Sequence, residues 1–302
     1  MQKVTRQGVV SRKGAKAQSA TALIKGSALR LCAFAGKTLS SFAVLAMILV
    51  LPGCVERAAT KPSPEAAQQL LKLRGYEFDD KGFRAAANAR DMMALNAFFD
   101  AGINPNGQDE ADGRTALISA AARGDLEVVN VLVQRGADVN VKDKRGYTAL
   151  FHSTEAMYDD ISMVLLSQPN LDANARGKNG TTALISYVWR TRRDAVEKLL
   201  ARGADVNAQD ADGDAALHGA AQNGDVEIIN LLLDKGADPN IKNRLGGTPL
   251  MWAAVFGNEA AAIRLLVRGA NPALKDADGM TALDWANRNK RDKVVAVLRK
   301  AK

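Results

Sequence analysis

The chain has 302 residues, 47% hydrophobic and 25% charged, a composition that excludes a disordered chain and allows one long folded region or two ordinary ones. Its formal net charge is +8, yet eight of the 41 Lys and Arg residues and none of the 33 Asp and Glu residues lie in residues 1–53. The remainder is balanced, and this removes the main argument for a nucleic-acid partner, which needs a cationic folded surface.

The chain opens on a basic stretch followed by ten uninterrupted apolar residues, 42–51. A helix of that length rises about 15 Å, half of a hydrocarbon core of about 30 Å, so the segment predicts a secretory signal. Leu51-Pro52-Gly53-Cys54 resembles a bacterial lipobox. That resemblance implies removal of a signal peptide, residues 1–53, and lipidation of Cys54 with palmitate-type chains. With Val55 and not Asp after the cysteine, it also implies an outer-membrane anchor facing the periplasm. Pro52 departs from the usual pattern, and an uncleaved signal anchor is the alternative reading. Cys32 and Cys54 are the only cysteines, so cleavage leaves no free thiol, as suits an oxidising compartment. Residues 54–64 are small, polar and Pro-containing, a lipidated tether.

Residues 65–82 predict an N-terminal capping helix and turn, with Leu70, Leu71 and Leu73 covering the open end of the region that begins at residue 83. From residue 83 the chain repeats itself. Phe83, Leu117, Leu150, Leu184, Leu217, Leu250 and Leu283 mark units of 33 or 34 residues, which makes seven repeats over residues 83–302. Within one unit, Thr115 can cap a first helix whose Leu117, Ala120 and Ala121 share a face. Gly124-Asp125 breaks the chain, and Val129, Leu132 and Val133 repeat the helical spacing on a second helix. Gly136 ends that helix, and a polar turn projects before the next unit. Such a pair cannot bury its apolar face alone, but stacked copies share one core.

The period, together with Thr-Pro-Leu at 248–250, Thr-Ala-Leu at 115–117, 148–150, 182–184 and 281–283, and Gly-Ala-Asp at 136–138, 203–205 and 236–238, resembles the ankyrin repeat. The resemblance implies an all-α solenoid of helix-turn-helix units with projecting turns. It also implies a protein partner held on the concave surface made by the turn tips and first helices. Carried over position by position, that surface includes Lys144, Arg145, Tyr147, Trp189, Arg190, Arg244, Leu245, Val255, Phe256 and Met280. Trp, Tyr and Arg are the usual hot-spot residues. Units three and four depart most from the pattern: Ser153 and Thr154 replace the paired alanines, Met157-Tyr158 replaces Gly-Asp, a residue is inserted near 168–170, and Tyr187-Val188-Trp189-Arg190 is followed by Thr191-Arg192-Arg193. Tyr187 and Trp189 can either bind a partner or fill space between units.

No nucleophile elbow, P-loop or other catalytic constellation is present, so the reading is a non-enzyme with no cofactor and no small-molecule substrate. His218 reads as structural, while His152 has no evident role. The Asp-x-Asp-Gly turns at 210–213 and 276–279 have neither the Gly nor the Glu position of a calcium loop, so no metal is expected. The function read from the sequence is a scaffold or inhibitor anchored in the cell envelope, in its narrower form an immunity protein against a secreted toxic enzyme. An envelope spacer without a single high-affinity partner is the alternative.

Overall fold

The computed structural model describes residues 61–177 and 179–301. The segments expected to be a signal peptide and a tether, with Cys54 between them, lie up to residue 60 outside the described residues. Fifteen helices are described and no strand: α1 (Pro64–Leu73), α2 (Asp80–Asn88), α3 (Met92–Asp100), α4 (Ala116–Arg123), α5 (Leu126–Gln134), α6 (Ala149–Glu155), α7 (Asp159–Leu166), α8 (Ala183–Trp189), α9 (Arg193–Ala201), α10 (Ala216–Asn223), α11 (Val226–Asp234), α12 (Pro249–Phe256), α13 (Glu259–Val267), α14 (Ala282–Arg288) and α15 (Asp292–Lys300). None of them is long and apolar enough to cross a membrane.

From α2 onward the helices form seven antiparallel pairs, the repeats expected from the leucine spacing. First helices pack on first helices of adjacent repeats (α4 on α6, α10 on α12, α12 on α14), and second helices form a parallel outer row. The close approach of the first helices rests on alanine. Ala120, Ala121, Ala220, Ala221, Ala253 and Ala254 are fully buried, and a larger side chain there would hold neighbouring backbones apart. Five of the seven first helices start at a capping Thr: Thr115, Thr148, Thr182, Thr248 and Thr281 accept the N–H three residues on. Such a cap is worth about 1 kcal/mol. Repeat five has Ala215 there and no side-chain cap.

Two hydrogen-bond ladders run between neighbouring repeats. In the first, Asn106, Asn140, Asn174, Asn207 and Asn240 accept, through Oδ1, the N–H groups of Asp138, Asp172, Asp205, Asp238 and Asn271. The last four also donate to carbonyls of the following repeat, at Asn170, Gly203, Gly236 and Gly269. In the second, the projecting fingers touch through backbone bonds: Lys144 N–H to Asp112, Ala211 to Asn179, Arg244 to Asp212 and Ala277 to Leu245. Four of the fingers are closed by an Asp or Asn of their own, while that of repeat four has Gly177 there. Asp143, Asp210, Asn243 and Asp276 all accept N–H groups two and four residues on. Of the carboxylates in the turns at 210–213 and 276–279, Asp210 and Asp276 are engaged in this way.

The capping helix differs from expectation in one residue. Ala67 and Leu71 are buried against the first repeat and Leu70 is half-buried, but Leu73 is 82% exposed. Two residues beyond Leu71 is about 200° around a helix, so Leu73 faces away from the stripe formed by 67, 70 and 71. The inserted residue of repeat three is absorbed after α7, where the Arg202 guanidinium donates to the Gln168 carbonyl.

Candidate functional site: an aromatic groove on repeats four to seven

Three of the sequence-selected residues, Leu245, Val255 and Phe256, line one groove. It lies between the fingers of repeats six and seven and helices α12 and α14, has a cavity of about 280 Å³, and is completed by Met251, Trp252, Trp285, Asn243, Gly247 and Asp276. Leu245 is 72% exposed and Phe256 45%. Large apolar side chains left exposed beside polar ones make this groove the candidate docking surface.

The aromatic surface extends towards repeat four. Trp189 ends α8 and its indole lies over Gly219, where a Cβ would stand 3.1 Å from the ring. It meets Trp252 edge-on, with centroids 5.9 Å apart, and Trp252 stacks on Phe256 at 6.1 Å with an interplanar angle of 17°. At the far end, the Arg288 guanidinium sits over the Trp285 ring, and the Trp285 indole N–H donates to Asp276 at 2.6 Å. That bond fixes the ring upright against its finger.

The other selected residues stand elsewhere. Lys144 and Arg145 are exposed on the finger of repeat three: the Lys144 ammonium donates to the Glu110 carbonyl, and Arg145 covers Tyr147 with its guanidinium 4.8 Å from the ring centroid. Tyr147 is half-buried on Phe151 and lies against Gly177 of the next finger. Arg190 approaches Glu155 at 3.8 Å. Arg244 is exposed next to Leu245 on the finger of repeat six, and Met280, half-buried, closes the finger of repeat seven through Asp276 without lining the cavity. The two aromatics of unit four divide: Trp189 joins the groove, while Tyr187, 1% exposed, packs between repeats three and four.

Trp252 and Trp285 were missed by sequence reasoning. The signal was available, since both stand two residues after a landmark leucine, where other units carry Ser119, His152, Ser186 and Gly219. His152 occupies the same position and does for repeat three what Trp285 does for repeat seven, bonding Asp143 at 2.8 Å. Burial opposes ionisation of Asp143, but the Tyr147 and Arg145 N–H groups and His152 outweigh it and hold the carboxyl below its usual range. His218 is fully buried, accepts the Ala215 N–H at Nδ1, and donates from Nε2 to the Gly247 carbonyl. Burial pushes its pKa down. Both ring nitrogens are therefore committed to backbone.

The sequence profile described as "Ankyrin repeats (3 copies)" matches residues 56–176, 121–210 and 217–302, and that described as "Ankyrin repeats (many copies)" matches 190–233. The chain belongs to the ankyrin-repeat family. Among solved structures, this ankyrin-repeat chain is similar to an ankyrin repeat domain from Acinetobacter baumannii AYE, with 28% identity and TM-score 0.57, covering 61% of this chain and 96% of that one. It is also similar to the ankyrin repeat domain of Bcl-3, described as a unique member of the IkappaB protein family, with 30% identity and TM-score 0.60, covering 72% of this chain and 97% of that one. No curated protein matches. An ankyrin-repeat domain is a general protein–protein interaction module, so a protein is the partner to expect.

Proposed function

We propose that this protein captures a protein partner through the groove of repeats four to seven, by an apolar segment that covers Leu245, Val255, Trp252 and Phe256. The carrying observation is that Leu245 and Phe256 stay exposed on a groove whose other walls are held in place, Trp285 by Asp276 and Trp252 between Trp189 and Phe256. Walls that do not rearrange lose little entropy on binding. The test is the paired change Leu245→Ser and Phe256→Ser. It should abolish recovery of the partner on the immobilised protein while unfolding free energy moves by no more than about 1–2 kcal/mol, since Leu245 is mostly in water and Phe256 nearly half so. Equal recovery by the variant would exclude the groove.

The place of this interaction is proposed to be the cell envelope, with Cys54 as the lipid anchor and the repeats facing the periplasm. The reading is supported by the basic leader, the short apolar run and the lipobox-like Leu51–Cys54. Intact mass of the protein from membranes of a Gram-negative host, beside Cys54→Ala, tests it. A chain starting at acylated Cys54, with the variant unprocessed, supports it, and a chain starting at Met1 overturns it. The narrower role, neutralising a secreted toxic enzyme, is tested by whether co-expression protects cells from the enzyme recovered as partner.

A further inference from the structure

The charges of the repeats are not spread evenly. Residues 242–302, which begin at the finger of repeat six, hold 12 Lys and Arg against five Asp and Glu, whereas residues 54–241 hold 21 against 28. Ion pairing follows the same division. Of the twelve described arginines before residue 242, nine have a carboxylate at ion-pair distance, among them Arg74 with Asp91 at 2.8 Å and Arg192 with Asp159 at 3.0 Å. Of the six arginines from residue 242 onward, only Arg268 is paired among the described residues, and it reaches back to Asp234 of repeat five.

Three of the unpaired arginines stand around the groove. Arg244 is exposed beside Leu245 on the finger of repeat six. Arg288 lies over Trp285, 5.2 Å from the ring centroid. Arg291 donates from Nε to the Val255 carbonyl at 3.0 Å, and its stem crosses Gly257, the residue after Phe256. The one acid on the lining is spent on the protein itself: Asp276 accepts the Asp278 and Met280 N–H groups through Oδ1 and the Trp285 indole through Oδ2. Asp284 is bonded to the Thr281 N–H and hydroxyl at the start of α14, which leaves the exposed Asp278 at the tip of finger seven. A guanidinium in water costs nothing while unpaired, but it rewards a carboxylate that docks beside it and penalises an ammonium.

With the groove as the capture site, on which this reading rests, we propose that the captured segment is acidic as well as apolar. Its large side chains cover Leu245, Val255 and Phe256, and its flanking Asp or Glu residues pair with Arg244, Arg288 and Arg291. Charge complementarity of this kind sets partner choice and association rate more than final affinity. A basic segment with the same apolar residues is turned away by the excess of cations, and a neutral one gains nothing from them. A phosphate polymer would answer the charge but leave Leu245 and Phe256 in water, so the apolar walls favour a polypeptide.

The probe is a phage-displayed library of random short peptides, selected on the immobilised full chain and, in parallel, on the form carrying Leu245→Ser and Phe256→Ser. Peptides enriched on the first and not on the second report the groove, and they should combine large apolar residues with a net negative charge. Groove-dependent peptides that are neutral or basic overturn the inference and leave the groove standing, whereas no groove-dependent peptide at all overturns both. The most enriched peptide is then titrated by fluorescence anisotropy. Exchanging its acids for amides, or Arg244→Gln together with Arg288→Gln in the protein, should weaken binding about tenfold at low ionic strength, the worth of two or three exposed ion pairs. Near 1 M salt, where the Debye length is about 3 Å, the difference should vanish. Arg244→Lys with Arg288→Lys, which keeps both charges, should hold the affinity within about twofold. Equal affinity of the Gln and parent forms at low salt overturns the inference. So does duplex DNA that binds as tightly as the peptide and is insensitive to Leu245→Ser and Phe256→Ser, since the cations then serve a polyanion and not the groove.

Discussion

Replacing Thr191 by glycine should stabilise the protein. Thr191 follows α8 with φ at 55°, where the corresponding Gly124, Gly224 and Gly257 of repeats two, five and six take 82°, 73° and 80°. A left-handed conformation costs an L-residue about 1–2 kcal/mol, and β-branching places threonine at the upper end. Glycine removes that cost and gives back about 0.4–1 kcal/mol, because it also frees the unfolded chain. The hydroxyl bonds only the exposed Arg190 carbonyl, so little else is lost. The net gain is about 1 kcal/mol, or a rise in Tm of about 2–4 °C for a folded region of this size. Thermal and urea melts followed by far-UV circular dichroism measure it, with an unchanged urea slope showing that the unfolded state is the same. Met157→Gly, at φ 60°, should behave alike. A fall in Tm for both variants, with an unchanged spectrum, would refute the reasoning: the turn would then depend on contacts of these side chains and not suffer from their backbone.

Ala215→Thr should add about 1 kcal/mol, read as a higher urea midpoint, because it gives α10 the capping hydroxyl that five other first helices have. Stability should decline on acidification from pH 7 to about 5.5, with a slope of at most about 1.4 kcal/mol per pH unit: His218 takes its proton below the usual imidazole range when folded, so the unfolded chain protonates first and acid favours it. His218→Gln should flatten that part of the profile, and an unchanged profile would remove His218 as its cause. Gly219→Val should lift Trp189 from its seat, shift tryptophan emission to longer wavelength and weaken partner capture, since even a Cβ stands 3.1 Å from the indole.

The repeat spacing made the architecture readable, because a landmark leucine every 33 or 34 residues has no other economical meaning than stacked units. Single-residue fates were less readable. Tyr187 takes the place of an alanine between two helices, and whether a large ring turns inward depends on the room across the junction, which Ser153 and Ser162 supply from the neighbouring repeat. Trp189, two residues on, turns outward only because Gly219, 30 positions later, carries no side chain. The partner of His152 was hidden for a similar reason: Asp143 lies nine residues upstream, and only the fold of the finger brings the two to 2.8 Å. The groove itself was half legible. Val255 and Phe256 break a polar position visibly, whereas Trp252 and Trp285 stand where the pattern tolerates almost anything.

The asparagine ladder has a mechanical consequence. Each of its rungs ties one repeat to the next and to no other, so load applied along the chain meets a row of small latches in series. Under pulling, the protein should pay out in packets of about 33 residues, roughly 110 Å of extended chain at a time. A partner straining against a tether would then be let out step by step and not dropped at once.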